Sequence, residues 1–519
     1  MLDLLIKNGF IVDGTGNLGF YASVGVTDNT VKIIRGDVSS ISATETLDAS
    51  GLIVCPGFID MHAHSGMVVL DKPLHEPKVT QGITTELIGI DGCSYAPFLS
   101  KDDLTAFRVL NAGLDGNPEL QQEWSSVSEY LGHLDNKVSC NFAYVMGNSA
   151  LRISAMGWDN RPPTTDEMKK MKYLIHQGME EGAVGISTGL DYPPGSYAST
   201  EELIELSKEV NKLGGFYATH VRYALGDKFL DPFREAIEIS NKSGVPLHIS
   251  HFFHRLPSRG PFAKQIELID EALSEGTDLT FDSYPYIYGS TRLIILMPQW
   301  AQEGGPTSLL ERLKSPDERQ RIVKELKPRA PTWNDMWITH LHDHDNIKWD
   351  GWSLGEIADA TGKDPADVVC DILIEENLAT NYVAAGGNQM SIADFYRHPA
   401  AMIGSDAVLL GEHPSPRTYG TFPIILDVFV RQNAHLELRE AIRKMSSFPA
   451  QRLGLKDRGI LRDGMKADIV VFDPEKVHAP ATLKDPKQFA EGIHHVFVNG
   501  VQVIKNGSHT GAVPGRVVH

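Results

Sequence analysis

The chain has 519 residues, of which 42% are hydrophobic and 22% charged, a composition typical of a globular protein with one large domain and smaller ones. Because 67 Asp and Glu outnumber 48 Lys and Arg, the formal net charge is −19. This charge argues against nucleic acid or an anionic membrane as the partner and leaves small-molecule chemistry open.

Cysteine usage and the N-terminal sequence predict a location. The four cysteines are far apart and form no CxxC pair, as in proteins of a reducing compartment. We find neither the pattern of a secretory signal peptide nor a run of ~18 apolar residues that would span a bilayer. We therefore expect a cytoplasmic protein with a small-molecule substrate, as a monomer or an oligomer.

Short runs of alternating apolar and polar residues occur at both ends of the chain. Residues 1–50 carry such runs between turn signals such as Asp13-Gly14, the pattern of short antiparallel strands. The pattern returns in 467–473 and 495–503, where Asn499-Gly500 is typical of a hairpin turn. Because each segment is short for independent stability, we expect residues 1–53 and 456–519 to pair into one small β-sandwich. Two unrelated β segments are the alternative.

Between these ends, apolar runs alternate with stretches of helical spacing, such as 166–181. Eight such strand–helix units predict an α/β fold, a (β/α)8 TIM-like barrel over 54–455, with its active site at the C-terminal ends of the strands. The connection over 287–399 is much longer than a helical crossover, so we expect an inserted subdomain at about 287–350. The predicted strands are 52–59, 84–90, 141–146, 183–188, 215–219, 245–250, 278–282 and 400–404.

The first predicted strand ends in Asp60-Met61-His62-Ala63-His64. Side chains of a strand alternate, so His62 and His64 share a face and offer two imidazoles to one divalent metal ion. A pair of this kind is a weak signal alone, but further candidate ligands follow the other strands. They are Asp91 and Cys93 after the second strand, His220 after the fifth, His251 after the sixth and Asp406 after the eighth.

This ligand set predicts one or two Zn²⁺ ions, or another divalent transition metal, that activate water and polarise a carbonyl. Asp406 is the candidate for both metal contact and proton transfer, and a helix N-cap or turn is its alternative. Because alternation separates His248 from His251, only one should face the site, and His251 lies at the strand's end.

An ordered set of motifs extends over nearly the whole chain, namely PGFIDMHAH at 56–64, QGITT at 81–85, GAVGISTGL at 182–190, THVR at 219–222, ISH at 249–251, YPY at 284–286, GST at 289–291, GSD at 404–406 and YGTFP at 419–423. This set resembles the amidohydrolase superfamily and, within it, the N-acyl-D-amino-acid deacylases (D-aminoacylases). The resemblance implies a metal-dependent hydrolase of the amide bond in N-acyl-D-amino acids, with a barrel, a β-sandwich from both chain ends and an insertion after the seventh strand. It also implies that His62, His64 and Asp406 bind one metal position and His220 and His251 the other.

One departure from the family concerns a ligand. The family usually has a metal-ligating cysteine in a Gly-Asn-Cys-Gly-x-Ser segment, whereas this chain has Asp91 in that slot and Cys93 two positions later. We favour Asp91, because a carboxylate bridges two ions well and a buried cysteine often packs as a small hydrophobic residue; Cys93 is the alternative. A bridging Asp91 would favour a two-metal site.

A second departure concerns the substrate carboxylate. The family commonly has Lys two residues beyond the sixth-strand histidine, and this chain has Phe253 there. Arg417, Tyr284 and Ser290 match other carboxylate-binding positions of the family, with a surface arginine as the alternative for Arg417. We also expect Tyr192 and Phe253 to contact the substrate.

The missing lysine leaves other amide substrates open, namely a cyclic imide or hydantoin, a β-aspartyl dipeptide or another acylated amine. A barrel that binds its ligand without catalysis is a further alternative. We disfavour it because the candidate proton carrier Asp406 is present.

Overall fold

The computed structural model describes residues 1–120, 122–224, 226–256, 258–327 and 332–519. At its centre eight parallel strands lie side by side in chain order, all of them buried. The N of Met61 donates to the O of Ile403 over 3.4 Å, so the first and last strands meet in a nearly closed barrel. The predicted barrel fold is therefore confirmed. The eight strands are Phe58–Asp60, Ile83–Ile88, Asn141–Gly147, Gly185–Gly189, Phe216–His220, Leu247–Ile249, Leu279–Ser283 and Ala401–Ile403.

Gly57 separates the barrel from a second sheet. We predicted one strand over 52–59, but this run forms two strands, Ile53–Pro56 and Phe58–Asp60, that belong to different sheets. At Gly57 the backbone passes so close to Thr84 that an added Cβ would lie 2.1 Å from its Oγ1. Only glycine fits this approach, and the chain changes sheets there.

The second sheet joins both ends of the chain. Strand Ile53–Pro56 lies between Leu2–Ile11 and Ile469–Phe472, so the two ends pair in one sheet and are not unrelated segments. Asn499 and Gly500 have positive φ values of 50° and 82°, as the predicted hairpin turn requires. The nine strands of this sheet are Leu2–Ile11, Phe20–Thr27, Thr30–Ile34, Ala43–Asp48, Ile53–Pro56, Ile469–Phe472, Ile493–Val498, Val501–Lys505 and Ser508–His509.

The long connection before the eighth barrel strand forms an insert with its own sheet and apolar core. Strand Asn381–Ala385 pairs antiparallel with Tyr288–Arg292 on one side and Met336–His340 on the other. Because its middle strand comes late in the chain, the insert extends to Ala385, beyond the 287–350 that we expected. Its α-helices are Gln299–Gln302, Gly305–Lys314, Pro316–Leu326, Leu354–Thr361 and Pro365–Glu375.

Further helices connect and cover the barrel strands. The helix predicted over 166–181 spans Thr165–Glu180 and begins with a capping box, in which the side chains of Thr164 and Glu167 each accept from the other's backbone N. Within the described ranges, no helix is long and apolar enough to cross a membrane. The helices outside the insert are Val68–Asp71, Glu76–Val79, Lys101–Asp115, Val127–Gly132, Asn148–Met156, Thr165–Glu180, the 3-10 helix Gly195–Tyr197, Thr200–Lys212, Asp231–Ser243, Ala263–Ser274, Gln389–Arg397, Arg417–Ile424, the π-helix Ile425–Gln432, Leu438–Met445 and Ser447–Arg452.

Candidate active site

The predicted ligands lie at the C-terminal ends of the barrel strands. His220 is the last residue of the fifth strand, and Asp91, His251 and Asp406 follow the second, sixth and eighth strands within a few residues. Parallel strands place these ends at the same rim of the barrel. Residues separated by hundreds of positions in sequence therefore meet there.

Four side chains converge on one point. The ligand atoms of His62, His64, Asp91 and Asp406 all lie within 4.8 Å of one another. Oδ1 of Asp406 is 3.3 Å from Nε2 of His64 and 3.5 Å from Nε2 of His62. Oδ2 of Asp91 is 3.5 Å from Nε2 of His62 and 3.7 Å from Nε2 of His64. Two imidazoles and two carboxylates in this arrangement suit a divalent ion such as Zn²⁺.

A second group shares Asp91 with the first. Oδ2 of Asp91 is 3.5 Å from Nδ1 of His220 and 3.4 Å from Nε2 of His251, and the two histidine nitrogens are 2.9 Å apart. Cys93 belongs to neither group, and its Sγ donates to the side-chain oxygen of Asn111 over 3.4 Å. Burial raises the pKa of the Cys93 thiol to about 12, so it stays protonated. The geometry therefore favours Asp91 over Cys93 as the shared ligand.

Three residues of the site have a left-handed backbone. The φ values are 57° at Asp91, 36° at His251 and 49° at Asp406. Such values are uncommon for residues other than glycine and persist where the surrounding structure fixes them, often at functional sites.

In each candidate histidine, one ring nitrogen faces the shared ligand Asp91 and the other faces a polar side chain. Partners of this kind orient metal-binding imidazoles and set their tautomer. None of these partners was predicted from the sequence. The position of Asp282, at the end of the predicted seventh strand, was the one feature that pointed to a role in the site. The pairs are His62 Nδ1 with Asp282 Oδ2 at 3.5 Å, His64 Nδ1 with Asp115 Oδ1 at 3.7 Å, His220 Nε2 with Asp191 Oδ2 at 3.0 Å, and His251 Nδ1 with Tyr223 Oη at 3.1 Å.

The site attracts positive charge. Burial alone would lower the pKa of His220, but Asp191 and Asp91 outweigh it and raise the pKa to about 9. The pKa of His62 is also raised well above its usual range, because neighbouring carboxylates outweigh its burial. Although buried, Nε2 of His62 and Oδ1 of Asp91 form no hydrogen bond with any described residue. Ligand atoms without a hydrogen-bond partner and an excess of carboxylate charge are the features expected of a binding site for divalent ions.

A cavity of about 310 Å³ lies between these two groups and the insert. Four of the predicted substrate contacts line it, namely Tyr192, Phe253, Tyr284 and Ser290. Asp406, the candidate proton carrier, also lines it. The cavity therefore brings a small molecule directly beside the candidate metal ligands.

Arg417, the remaining predicted substrate contact, lies outside the cavity lining. Its side chain is 0% exposed and does not line the cavity, so the alternative of a surface arginine is wrong. Nη2 lies 2.9 Å from Oδ2 of Asp406 and donates to the O of Ser290 over 3.0 Å, and the guanidinium stacks 4.4 Å above the Tyr284 ring. The predicted carboxylate contact of Arg417 stays a prediction, because here its partner is a residue of the protein.

Comparisons with known proteins agree with this geometry. The amidohydrolase family model matches residues 45–301 and 377–504. A D-aminoacylase from Alcaligenes xylosoxydans xylosoxydans is 33% identical over 520 aligned positions, which cover 99% of this chain and 97% of the relative.

Two solved structures extend the likeness to three dimensions. The N-acyl-D-glutamate deacylase from Bordetella bronchiseptica, complexed with zinc and a phosphonate mimic of the tetrahedral intermediate, matches with a TM-score of 0.84 and 30% identity over 99% of both chains. A D-aminoacylase with a binuclear metal center, in which one metal activates and a second attenuates, matches with a TM-score of 0.82 and 32% identity over 100% of this chain and 99% of that one. The chain belongs to the amidohydrolase family, and within it to the D-aminoacylases.

Proposed function

We propose that this protein hydrolyses the amide bond of N-acyl-D-amino acids and releases a carboxylate and a free D-amino acid. The observation that carries the proposal is the pair of buried ligand groups joined through Asp91, beside a cavity that Asp406 also lines. The full-length similarity to proteins named for this activity supports the substrate class.

The ligand groups are the proposed binding site for one or two divalent ions such as Zn²⁺. When bound, such an ion lowers the pKa of water and polarises the substrate carbonyl. Because Asp91 belongs to both groups, it would help to hold an ion at either position. The proposed ligands are His62, His64 and Asp406 for one position, His220 and His251 for the other, and Asp91 for both.

Asp406 is the proposed proton carrier. Burial by itself would raise the pKa of its carboxyl, but Arg417 and His62 outweigh that effect and lower the pKa to about 2. The group is therefore ionised at neutral pH and can accept a proton from the attacking water. It then returns this proton to the leaving nitrogen as the C–N bond breaks, so the base of the first step is the acid of the second.

The cavity wall is proposed to position the substrate. Burial raises the pKa of Tyr284 to about 12 despite the neighbouring Arg417, so its hydroxyl keeps its proton and can donate to a substrate oxygen. Ser290 adds a second hydroxyl, which is held 2.9 Å from Oδ1 of Asn381. The rings of Tyr192 and Phe253 supply apolar contact area.

An assay of N-acyl-D-amino acids beside their L-enantiomers tests the proposal. We expect turnover of the D-substrates by zinc-loaded protein, loss of activity after chelation and recovery when zinc is restored. A hydantoin and a β-aspartyl dipeptide are assayed in parallel, and preferential turnover of either would replace the proposal. No turnover of any D-substrate, or activity that chelation leaves unchanged, would contradict it.

We also propose that the protein works in the cytoplasm. All four cysteines are free and buried, which is compatible with a reducing compartment and supports this location. Fractionation of the native cells tests it, and recovery of the protein outside the cytoplasmic fraction would contradict it.

A further inference from the structure

Arg255 is a half-buried cation in the wall of the substrate cavity, and it has no counter-ion among the described residues. Among the described residues that line the cavity, it is the only Lys or Arg. Its Nε is buried without a hydrogen-bond partner, and in the described part of the chain no carboxylate lies within 4.0 Å of its guanidinium. By contrast, Arg417 is neutralised by Asp406.

The position of Arg255 is fixed by its neighbours. Its guanidinium carbon lies 4.1 Å above the ring of Tyr223 and 5.0 Å above the ring of Phe253, both favourable cation–π distances. The backbone of Arg255 forms a β-bridge with Gly387, at the cavity wall. A guanidinium held in this way loses little conformational entropy when it binds an anion.

Arg255 is also close to the reacting centre. The Tyr223 hydroxyl lies 3.1 Å from Nδ1 of His251, so a single aromatic ring separates Arg255 from a proposed metal ligand. Its positive charge reaches two other tyrosines of the wall, where it opposes the rise in the pKa of Tyr284 and Tyr382 that burial causes. The carboxylate of an N-acyl amino acid is attached to the carbon that bears the scissile nitrogen, so it must bind near these groups.

We infer that Arg255 binds the substrate carboxylate and selects anionic over neutral amides. This inference rests on the proposed function, since it names the residue that recognises the acid group of an N-acyl-D-amino acid. Guanidinium groups bind carboxylates through paired hydrogen bonds, and a half-buried cation whose Nε is unpartnered is stabilised by an anion of this kind. The ligand thereby supplies the counter-ion that the described protein does not.

The test compares Arg255→Met with Arg255→Lys and with a matched control, Arg259→Met. Arg259 lies on the same loop, its side chain is 75% exposed and its Nη1 is 3.5 Å from Asp227. The ligands are N-acetyl-D-phenylalanine as substrate and N-acetyl-2-phenylethylamine, which lacks the carboxylate, as competitive inhibitor. Thermal unfolding of each zinc-loaded variant verifies that it is folded.

We expect Arg255→Met to raise KM for the acid on the order of 10- to 100-fold, with kcat changed much less. The inhibition constant of the neutral amide should not change, Arg255→Lys should recover part of the loss, and Arg259→Met should match the wild type. An unchanged KM in folded Arg255→Met, or equal weakening of the acid and the neutral amide, would overturn the inference.

A second measurement separates this inference from the proposed function. Equilibrium binding of N-acetyl-D-phenylalanine is measured by calorimetry for the wild type and Arg255→Met. If the wild type binds the acid but hydrolyses no D-substrate, the proposed function fails, and the difference in Kd between the two proteins still decides the role of Arg255. Equal Kd values, or no binding by the wild type, would overturn that role.

Discussion

Arg417 and Asp406 form a buried ion pair in which Nη2 lies 2.9 Å from Oδ2. The pair leaves the other oxygen of Asp406, Oδ1, to face the His62 and His64 imidazoles. Arg417 therefore both orients the proposed proton carrier and keeps it ionised. In the structure, the guanidinium of Arg417 thus binds a carboxylate of the protein itself.

Asp406→Asn should lower kcat by about 10²–10⁴-fold, because the amide cannot accept and return a proton. Steady-state kinetics with metal analysis and thermal unfolding measure the change, and they separate lost proton transfer from lost metal. Asp345→Asn is the control, since that side chain is 94% exposed. Normal kcat in Asp406→Asn would refute the assigned role.

Arg417→Gln should move the acid limb of the kcat–pH profile to higher pH. The pKa of Asp406 is lowered to about 2 chiefly by Arg417 acting against burial, so removing the guanidinium raises this pKa. Asp406 then becomes protonated, and inactive as a base, at higher pH than in the wild type. A rise in KM for acid substrates with no movement of the limb would instead support the predicted carboxylate contact of Arg417.

Metal uptake at pH 7 should release protons. The metal-free His220 has a pKa raised to about 9 and is protonated at neutral pH, whereas a metal ion requires the neutral imidazole. The affinity of the site for the metal ion should therefore increase as pH rises towards about 9. Calorimetry in buffers of different ionisation enthalpy counts the protons.

Asp191→Asn is the matched variant for proton release. Asp191 is the leading cause of the raised His220 pKa, so its removal lowers that pKa and fewer protons should be released at pH 7. Zinc binding without net proton release by the wild type would contradict this prediction.

The cavity wall should favour apolar over acidic amino acids. Ile295, Met336 and Tyr382 contribute apolar surface, and Arg255 is the one Lys or Arg among the described wall residues. A second substrate carboxylate would be buried without a cationic partner. We expect kcat/KM for N-acetyl-D-methionine to exceed that for N-acetyl-D-glutamate on the order of 10-fold or more. An equal or higher value for the glutamate derivative would contradict this.

Lys78 should be essential for stability. Its Nζ contacts the buried carboxylates of Asp60 and Glu86, the latter at 3.0 Å, and donates to Oγ of Ser405 over 2.7 Å. Lys78→Met leaves these carboxylates without their counter-charge and should lower the free energy of unfolding by about 3–5 kcal/mol. Urea unfolding measures the change, with Lys476→Met, 74% exposed, as the control. A loss no larger than that of the control would contradict the prediction.

The local sequence pattern determined the strands, the main helices and the positions of the candidate metal ligands directly after the strands. Alternation put His62 and His64 on one face, and helical spacing predicted the start of helix Thr165–Glu180 within one residue. These features depend on residues that are neighbours in the chain. Periodicity and capping are short-range effects, and they appear directly in the amino-acid order.

The tertiary structure alone decided which distant groups meet. Gly57 divides the first predicted strand because Thr84 of the next strand lies against it, and the buried Arg417 pairs with Asp406. Asp91 is preferred over Cys93 because it reaches both histidine groups, and no carboxylate of the described residues pairs with Arg255. Such relationships depend on packing between segments far apart in the chain, and no local pattern specifies them.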